Sequence, residues 1–230
     1  MCGRVALYSP PQRIARLVEA TLAAGILTTE ARWNVGPQQT LFAATEESAS
    51  RVLDGFRWGL LPSWAKDPSV SNRLFNARAE TVAEKPSFRS AFAKRPCLIP
   101  VDGFYEWDQR EGRLRQPHFF TRRDGEPLVF AGLFESWSHP DTGVDVRTCT
   151  VITTEPNENM DGLHDRMPVI LEPHEFDAWL DTSASPALRL SLLDAAPLGT
   201  LSHYGVDKAV GNVRHEGPAL IQRHEIASLF

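Results

Sequence analysis

The chain has 230 residues, 42% hydrophobic and 23% charged, with a formal net charge of −5. This is the profile of a globular chain with a sizeable core, in one large or two small domains. It speaks against a generic nucleic-acid binder, and no apolar run nears the about 18–20 residues of a membrane span. The charge is unevenly spread: residues 51–100 hold nine Lys/Arg against four Asp/Glu, and residues 151–200 hold two against nine. A local anion-binding patch on an acidic protein is one outcome; cancellation of the two stretches in space is the other.

Cys2, Cys97 and Cys149 are three, with no CxxC spacing. Neither a disulfide framework nor a zinc site is expected, and no metal or cofactor. With no signal pattern at the start, a reducing cytoplasm is the expected compartment.

In chain order, Gly3–Tyr8 reads as a short strand. Pro10-Pro11 opens a helix with Ile14, Leu17, Val18 and Leu22 at helical spacing and Gly25 as its stop. Strands follow at Leu41–Thr45 and Val52–Leu60, then short helices at Ala77–Glu84 and Ser87–Lys94, parted by Pro86. Cys97–Val101, Phe104–Trp107, His118–Thr121, Leu128–Phe134, Arg147–Thr154 and Pro168–Leu171 read as strands, Pro173–Leu180 as a helix, and the tail as another short helix. The irregular mixture gives an α+β class. We expect a single domain over residues 1–230, with a curved, mainly antiparallel, barrel-like β core and peripheral helices.

Cys2 follows the initiator methionine. With Met1 removed, Cys2 carries an amine and a thiol on adjacent carbons. Such an amine attacks an aldehyde to give an imine, and the thiol closes on the same carbon to give a thiazolidine. With a pKa of about 7.7–8.0, roughly one α-amine in ten is an unprotonated nucleophile at neutrality, against one lysine in a few thousand. The competing reading is a frayed, idle terminus.

Other residues also have two readings. Glu106, in Gly103-Phe104-Tyr105-Glu106-Trp107, shares a strand face with Phe104. Among aromatics it becomes an acid/base with a raised pKa; on a half-solvated strand it is an ordinary surface carboxylate. His164, in His164-Asp165-Arg166-Met167-Pro168, is a proton carrier near neutrality or a surface turn histidine. Asn76, two residues before Arg78, is a helix N-cap, or an amide that orients a nucleophile beside a phosphate-gripping arginine. Trp58 and Trp64 fill the core or stack on unpaired bases, with Arg57, Lys66, Arg73 and Arg78 close by in sequence.

Together these motifs resemble the SRAP family, the SOS response-associated peptidase domain proteins that process abasic sites in DNA. The resemblance runs through Met1-Cys2-Gly3-Arg4, Trp58-Gly59-Leu60, Asn76-Ala77-Arg78-Ala79-Glu80-Thr81, Gly103–Trp107, Ala131-Gly132-Leu133 and His164–Pro168 in order, over nearly the whole chain. Trp33-Asn34 and the Gly211–Pro218 tail depart from the family's usual wording, and the chain resembles the compact bacterial form.

The resemblance implies a substrate: the ring-opened aldehyde of an abasic site in single-stranded DNA. It implies that Cys2 is the crosslinking nucleophile, Glu106 the acid/base, and His164 a participant in strand cleavage or reversal. Asn76 positions the terminus, Arg4 and Arg78 hold phosphate, Arg166 also contacts DNA, and Trp58, Trp64 and Trp107 stack on bases. The expected protein is a cytoplasmic monomer, nucleoid-associated when bound to DNA. Two rivals stay open: a cysteine hydrolase using Cys2, His164 and Glu106, and a non-catalytic single-strand binder.

Overall fold

A computed structural model describes residues 2–224, apart from 25, 27–29, 48–49, 110–114, 159 and 161. Thirteen strands are described: β1 (Val5–Leu7), β2 (Thr21–Leu22), β3 (Arg32–Val35), β4 (Thr40–Glu47), β5 (Ser50–Trp58), β6 (Asn76–Arg78), β7 (Pro96–Val101), β8 (Gly103–Trp107), β9 (Pro117–Arg122), β10 (Leu128–Ser138), β11 (Asp145–Thr154), β12 (Met167–Pro168) and β13 (Leu201–Gly205). Four short α-helices accompany them: α1 (Pro11–Leu17), α2 (Arg89–Lys94), α3 (Phe176–Leu180) and α4 (Pro186–Leu190).

Strands β11, β10, β7, β4 and β5 form a continuous sheet, and a parallel pairing of β5 with β11 closes it into a five-stranded barrel. Closure removes the exposed edges of these strands. A second sheet, in the order β13-β9-β8-β1-β3, packs against it. The α+β expectation and its barrel-like, mainly antiparallel core therefore hold.

Period-two alternation sorts the barrel side chains into two cores. Phe56 and Trp58 of β5, Cys97 and Ile99 of β7, and Cys149 and Val151 of β11 face one cluster, which also takes Cys2, Val5 and Phe104 from the second sheet. The alternate residues, such as Leu98 and Ile152, meet a cluster covered by α1, α2 and α3 through Ile14, Phe92 and Trp179. Proline opens α1 at its first turn, where its missing N–H would bond nothing in any case.

Several expected boundaries move. The helix anticipated over Ala77–Glu84 is instead β6 followed by one 3-10 turn, Ala79–Thr81. Three residues pair in parallel with β11, Asn76 opposite Val151, and bury Ala77; that tertiary pairing overrides local helical propensity. The Ser87–Lys94 helix shortens to α2, and Pro168–Leu171 contracts to β12 plus a bridge between Phe130 and Ile170. In the tail, Pro218–Ile221 forms a 3-10 turn. Gly25, the expected stop of the first helix, lies outside the described residues.

Gly103 marks where β8 meets β9 at close range. A Cβ there would lie 2.4 Å from Phe119 Cζ and 2.6 Å from the Phe120 carbonyl oxygen, and the latter is backbone that cannot swing aside. Gly103→Ala is expected to lower stability by about 1–3 kcal/mol, the usual range for overpacking. Urea denaturation checks it; an unchanged midpoint would show that β9 yields freely.

Candidate active site at the start of β1

Strand β1 lies between β3 and β8. Val5 opposes Phe104, Ala6 opposes Gly103, and Tyr105 N–H donates to the Arg4 carbonyl at 2.9 Å. Ahead of β1 the Cys2 side chain lies in the same cluster as Val5 and Phe104. At the other end of β1, the buried carboxylate of Asp102 accepts from Tyr8 N–H (2.6 Å), Ser9 N–H (2.8 Å) and the Ser9 hydroxyl (2.5 Å). The strand is thus anchored at both ends.

Asn76 supplies the anchor at the Cys2 end. Its Nδ2 donates to the Cys2 carbonyl at 2.7 Å, across 74 residues of sequence. The N-cap reading falls because Asn76 lies in β6 rather than before a helix. Arg78 sits on the same side of β6 as Asn76, two residues on, and is exposed.

Glu106 is buried, 3% exposed, on the face of β8 that it shares with Phe104. Burial pushes its carboxyl up from 4.5 to about 7, with the Asp165 charge adding to the rise. His164 stands against it, Nε2 3.7 Å from Glu106 Oε2. Burial pulls the imidazole below its usual value, so the ring is neutral at neutral pH. Arg166 N–H donates to His164 Nδ1 at 3.0 Å and Asp165 Oδ1 lies 3.0 Å from the same nitrogen, while Nε2 is the nitrogen facing Glu106. A carboxyl raised to about 7 and a neutral imidazole therefore meet at one place.

The Cys2 thiol is buried in the core cluster beneath them. Burial holds it protonated, well above the usual thiol range, and the Glu106 charge pushes the same way. An open cleft of about 260 Å³ reaches this place, lined by Gln109, Pro156, Gly162, Leu163, His164 and Asp165.

Other sequence candidates land elsewhere. Trp58 is fully buried, its indole N–H bonded to the Phe75 carbonyl at 2.8 Å and its ring edge-on to Phe75. It has no face to offer a base, so the stacking role is corrected to core filling. Arg166 is 9% exposed: its guanidinium grips both Glu80 oxygens at 2.7 and 2.9 Å and the Thr153 carbonyl at 2.6 Å. The expected DNA contact of Arg166 gives way to a clamp that joins the His164 turn to β11 and to the turn after β6. Arg4 Nη1 bonds Asn34 Oδ1 at 2.7 Å and the Val210 carbonyl, and its guanidinium lies 5.8 Å from the half-buried Trp107 ring. Trp64, 59% exposed, keeps an open ring face.

Sequence reasoning missed Glu80, which needed its partner Arg166 to be seen, and Asn34, whose Nδ2 holds the carbonyls of Asn212 and His215 at 3.0 and 2.9 Å. The divergent-looking tail is thereby fastened to β3 and Arg4. Among the described residues, no three or more His, Cys, Asp or Glu are grouped to hold a metal ion, and no helix is long and apolar enough to cross a membrane.

A family model described as SOS response associated peptidase (SRAP) matches residues 1–213. The chain belongs to this family. Over 227 residues it is 37% identical to the abasic site processing protein YoqW of Bacillus subtilis strain 168, covering 97% of this chain and 100% of that one. The abasic site processing protein YedK of Escherichia coli K12 is 29% identical over 228 residues, with coverage of 96% and 99%. Similarity reaches a vertebrate protein, the abasic site processing protein HMCES of Xenopus tropicalis, at 34% over 202 residues, covering 77% of this chain and 59% of that one. A crystal structure of a protein from Bacteroides thetaiotaomicron superposes with a TM-score of 0.87 at 26% identity, over 97% of this chain and 100% of that chain.

The buried carboxyl carries a stability consequence. Below pH about 4.5 both folded and unfolded chains hold the Glu106 proton, and burial exacts nothing. Between about pH 4.5 and about 7 the unfolded chain releases this proton while the folded chain keeps it, so stability falls across that window, by about 3 kcal/mol in all, and is flat above it. Glu106→Gln, measured by urea denaturation, is expected to stabilise the protein at about pH 8 and to have little effect at about pH 4.5. The same gain at both pH values would contradict the raised carboxyl.

Proposed function

We propose that this chain processes abasic sites in single-stranded DNA by forming a covalent crosslink through Cys2 after Met1 is removed. One observation carries the reading: Asn76 holds the Cys2 carbonyl where a near-neutral carboxyl and a neutral imidazole converge. The abasic-site processing named for the relatives supplies the substrate.

Glu106, partly protonated at neutrality, protonates the ring oxygen as the abasic sugar opens to its aldehyde. The unprotonated Cys2 amine adds to C1′, and the carbinolamine loses water with proton help to become an imine. The thiol S–H then adds across C=N, sulfur to carbon and proton to nitrogen, closing a thiazolidine. With no iminium left to act as an electron sink, this product lasts. If instead the imine loses a proton at C2′, the 3′ phosphate leaves by β-elimination and the strand is nicked, which is the lyase outcome. Thiol closure protects the strand by diverting the imine, and so shields the site during the damage response.

The buried, protonated thiol weighs against the cysteine hydrolase alternative, which needs a thiolate to attack an amide. In the crosslinking route the thiol acts last, on an activated imine. The peptidase of the family description then concerns the Met1–Cys2 bond, the one peptide bond that this route requires to be broken. We assign base stacking to Trp64 and phosphate contacts to Lys66, Arg73 and Arg78, all exposed on the segment leading into β6.

The test mixes processed protein with a single strand bearing one abasic position and follows the denaturant-resistant band. Cys2→Ala is expected to keep a borohydride-trappable imine but to form little stable product; a stable band of wild-type yield would overturn thiol closure. Glu106→Gln is expected to slow the crosslink by about 10²-fold or more, as for other lost acid–base groups. The wild-type rate should peak between about pH 7 and 8, where a fraction of the carboxyl still carries its proton and a fraction of the α-amine has lost its own. Tight binding of intact and abasic strands alike, with no resistant band from wild type, would favour the non-catalytic binder.

A further inference from the structure

The face of the second sheet that carries Glu106 continues across β9 and β13 with two histidines. His118 directly opposes Glu106 in the β8–β9 register. Directly opposed residues share a face with their Cβ atoms about 4.5–5.5 Å apart, within side-chain reach. On its other side His118 opposes Gly205 of β13, which has no side chain. The imidazole leans diagonally over that gap to His203, and the two Nδ1 atoms lie 3.1 Å apart. His203 stacks on Phe120, ring centroids 4.9 Å apart at 22°, and is exposed. Phe120 in turn stacks on Phe104, 4.9 Å apart at 11°, on the strand of Glu106. The row therefore runs from a buried carboxyl, through a half-buried imidazole, to an exposed one.

Two ring nitrogens at 3.1 Å share one proton, since one must donate and the other accept. We infer that His118 and His203 form a proton relay that connects Glu106 to solvent. A proton given to the second ring nitrogen of His118 releases the shared proton to His203, which gives up the one on its own far nitrogen to water. One proton enters and one leaves, and reversal recharges Glu106. A buried acid that serves several steps of one reaction needs such an exchange path. Other titratable or charged groups around this row are His164 and Asp165 of the facing turn, Arg115 ahead of β9, and Cys2.

The inference rests on the reading of Glu106 as acid/base, and its test separates the two. Ring resonances of His118 and His203 are titrated by NMR in full-length wild type and Glu106→Gln. Coupling predicts that the His118 midpoint moves to lower pH when the carboxylate is gone; an unmoved midpoint overturns the relay whether or not the protein crosslinks DNA. Crosslinking rates are then measured against pH for His118→Phe and His203→Gln. A relay feeding an acid/base worth about 10²-fold should cost about tenfold in each variant, with a changed pH profile and recovery in added imidazole. Wild-type rates and profiles in a folded variant would overturn it. Should His118→Phe fail to fold, His203→Gln and the NMR titration decide alone. Wild type that shows the NMR coupling but no crosslink would sink the proposed function and leave the proton connection standing.

Discussion

The Asn76 amide on the Cys2 carbonyl is the bond around which the site is arranged. A strand end left to itself frays, and any chemistry assigned to it would be diluted over many positions. Here β1 is paired on both edges, tied at its far end by Asp102, and held at its near end by an asparagine from β6. That asparagine is in place because β6 runs parallel to β11, itself a barrel strand. The barrel thus reaches the first residues of the chain through two short links. The Arg166–Glu80 clamp ties the His164 turn to the same frame.

One physical cause sets the site's chemistry. Burial penalises whichever form is charged, so it raises the Glu106 carboxyl, raises the Cys2 thiol and lowers the His164 imidazole. The carboxyl is brought to about 7, the imidazole is held neutral, and the thiol is kept protonated. The same burial destabilises the fold as pH rises from about 4.5 to about 7, a common consequence of building an acid/base group into a core.

Much of this could be read from local pattern. Strand alternation put Phe104 on one face and Tyr105 and Trp107 on the other, and the two clusters divide these residues in that way. What could not be read were facts about partners distant in sequence. Asn76 looks like a helix cap because Ala77–Glu84 has helical composition; only its pairing with β11 makes it a strand. Trp58 and Arg166 look like binding residues because tryptophan and arginine often are. Their burial depends on Phe75, Glu80 and Thr153, which no spacing reveals. The tail looked divergent, yet its carbonyls meet Asn34 and Arg4 from the opposite end of the chain. Barrel closure through a parallel β5–β11 pair leaves no trace in hydrophobic periodicity, since the period is two in either direction.

The proposed chemistry belongs to the amine and thiol of Cys2 at a freed terminus. Intact-mass and fragment analysis of the product with an abasic strand measures this most directly. The expected product is a species lacking Met1, one water lighter than the sum of processed protein and DNA, with the DNA on Cys2. A covalent species that retains Met1, or carries the DNA on a lysine or another cysteine, would contradict it.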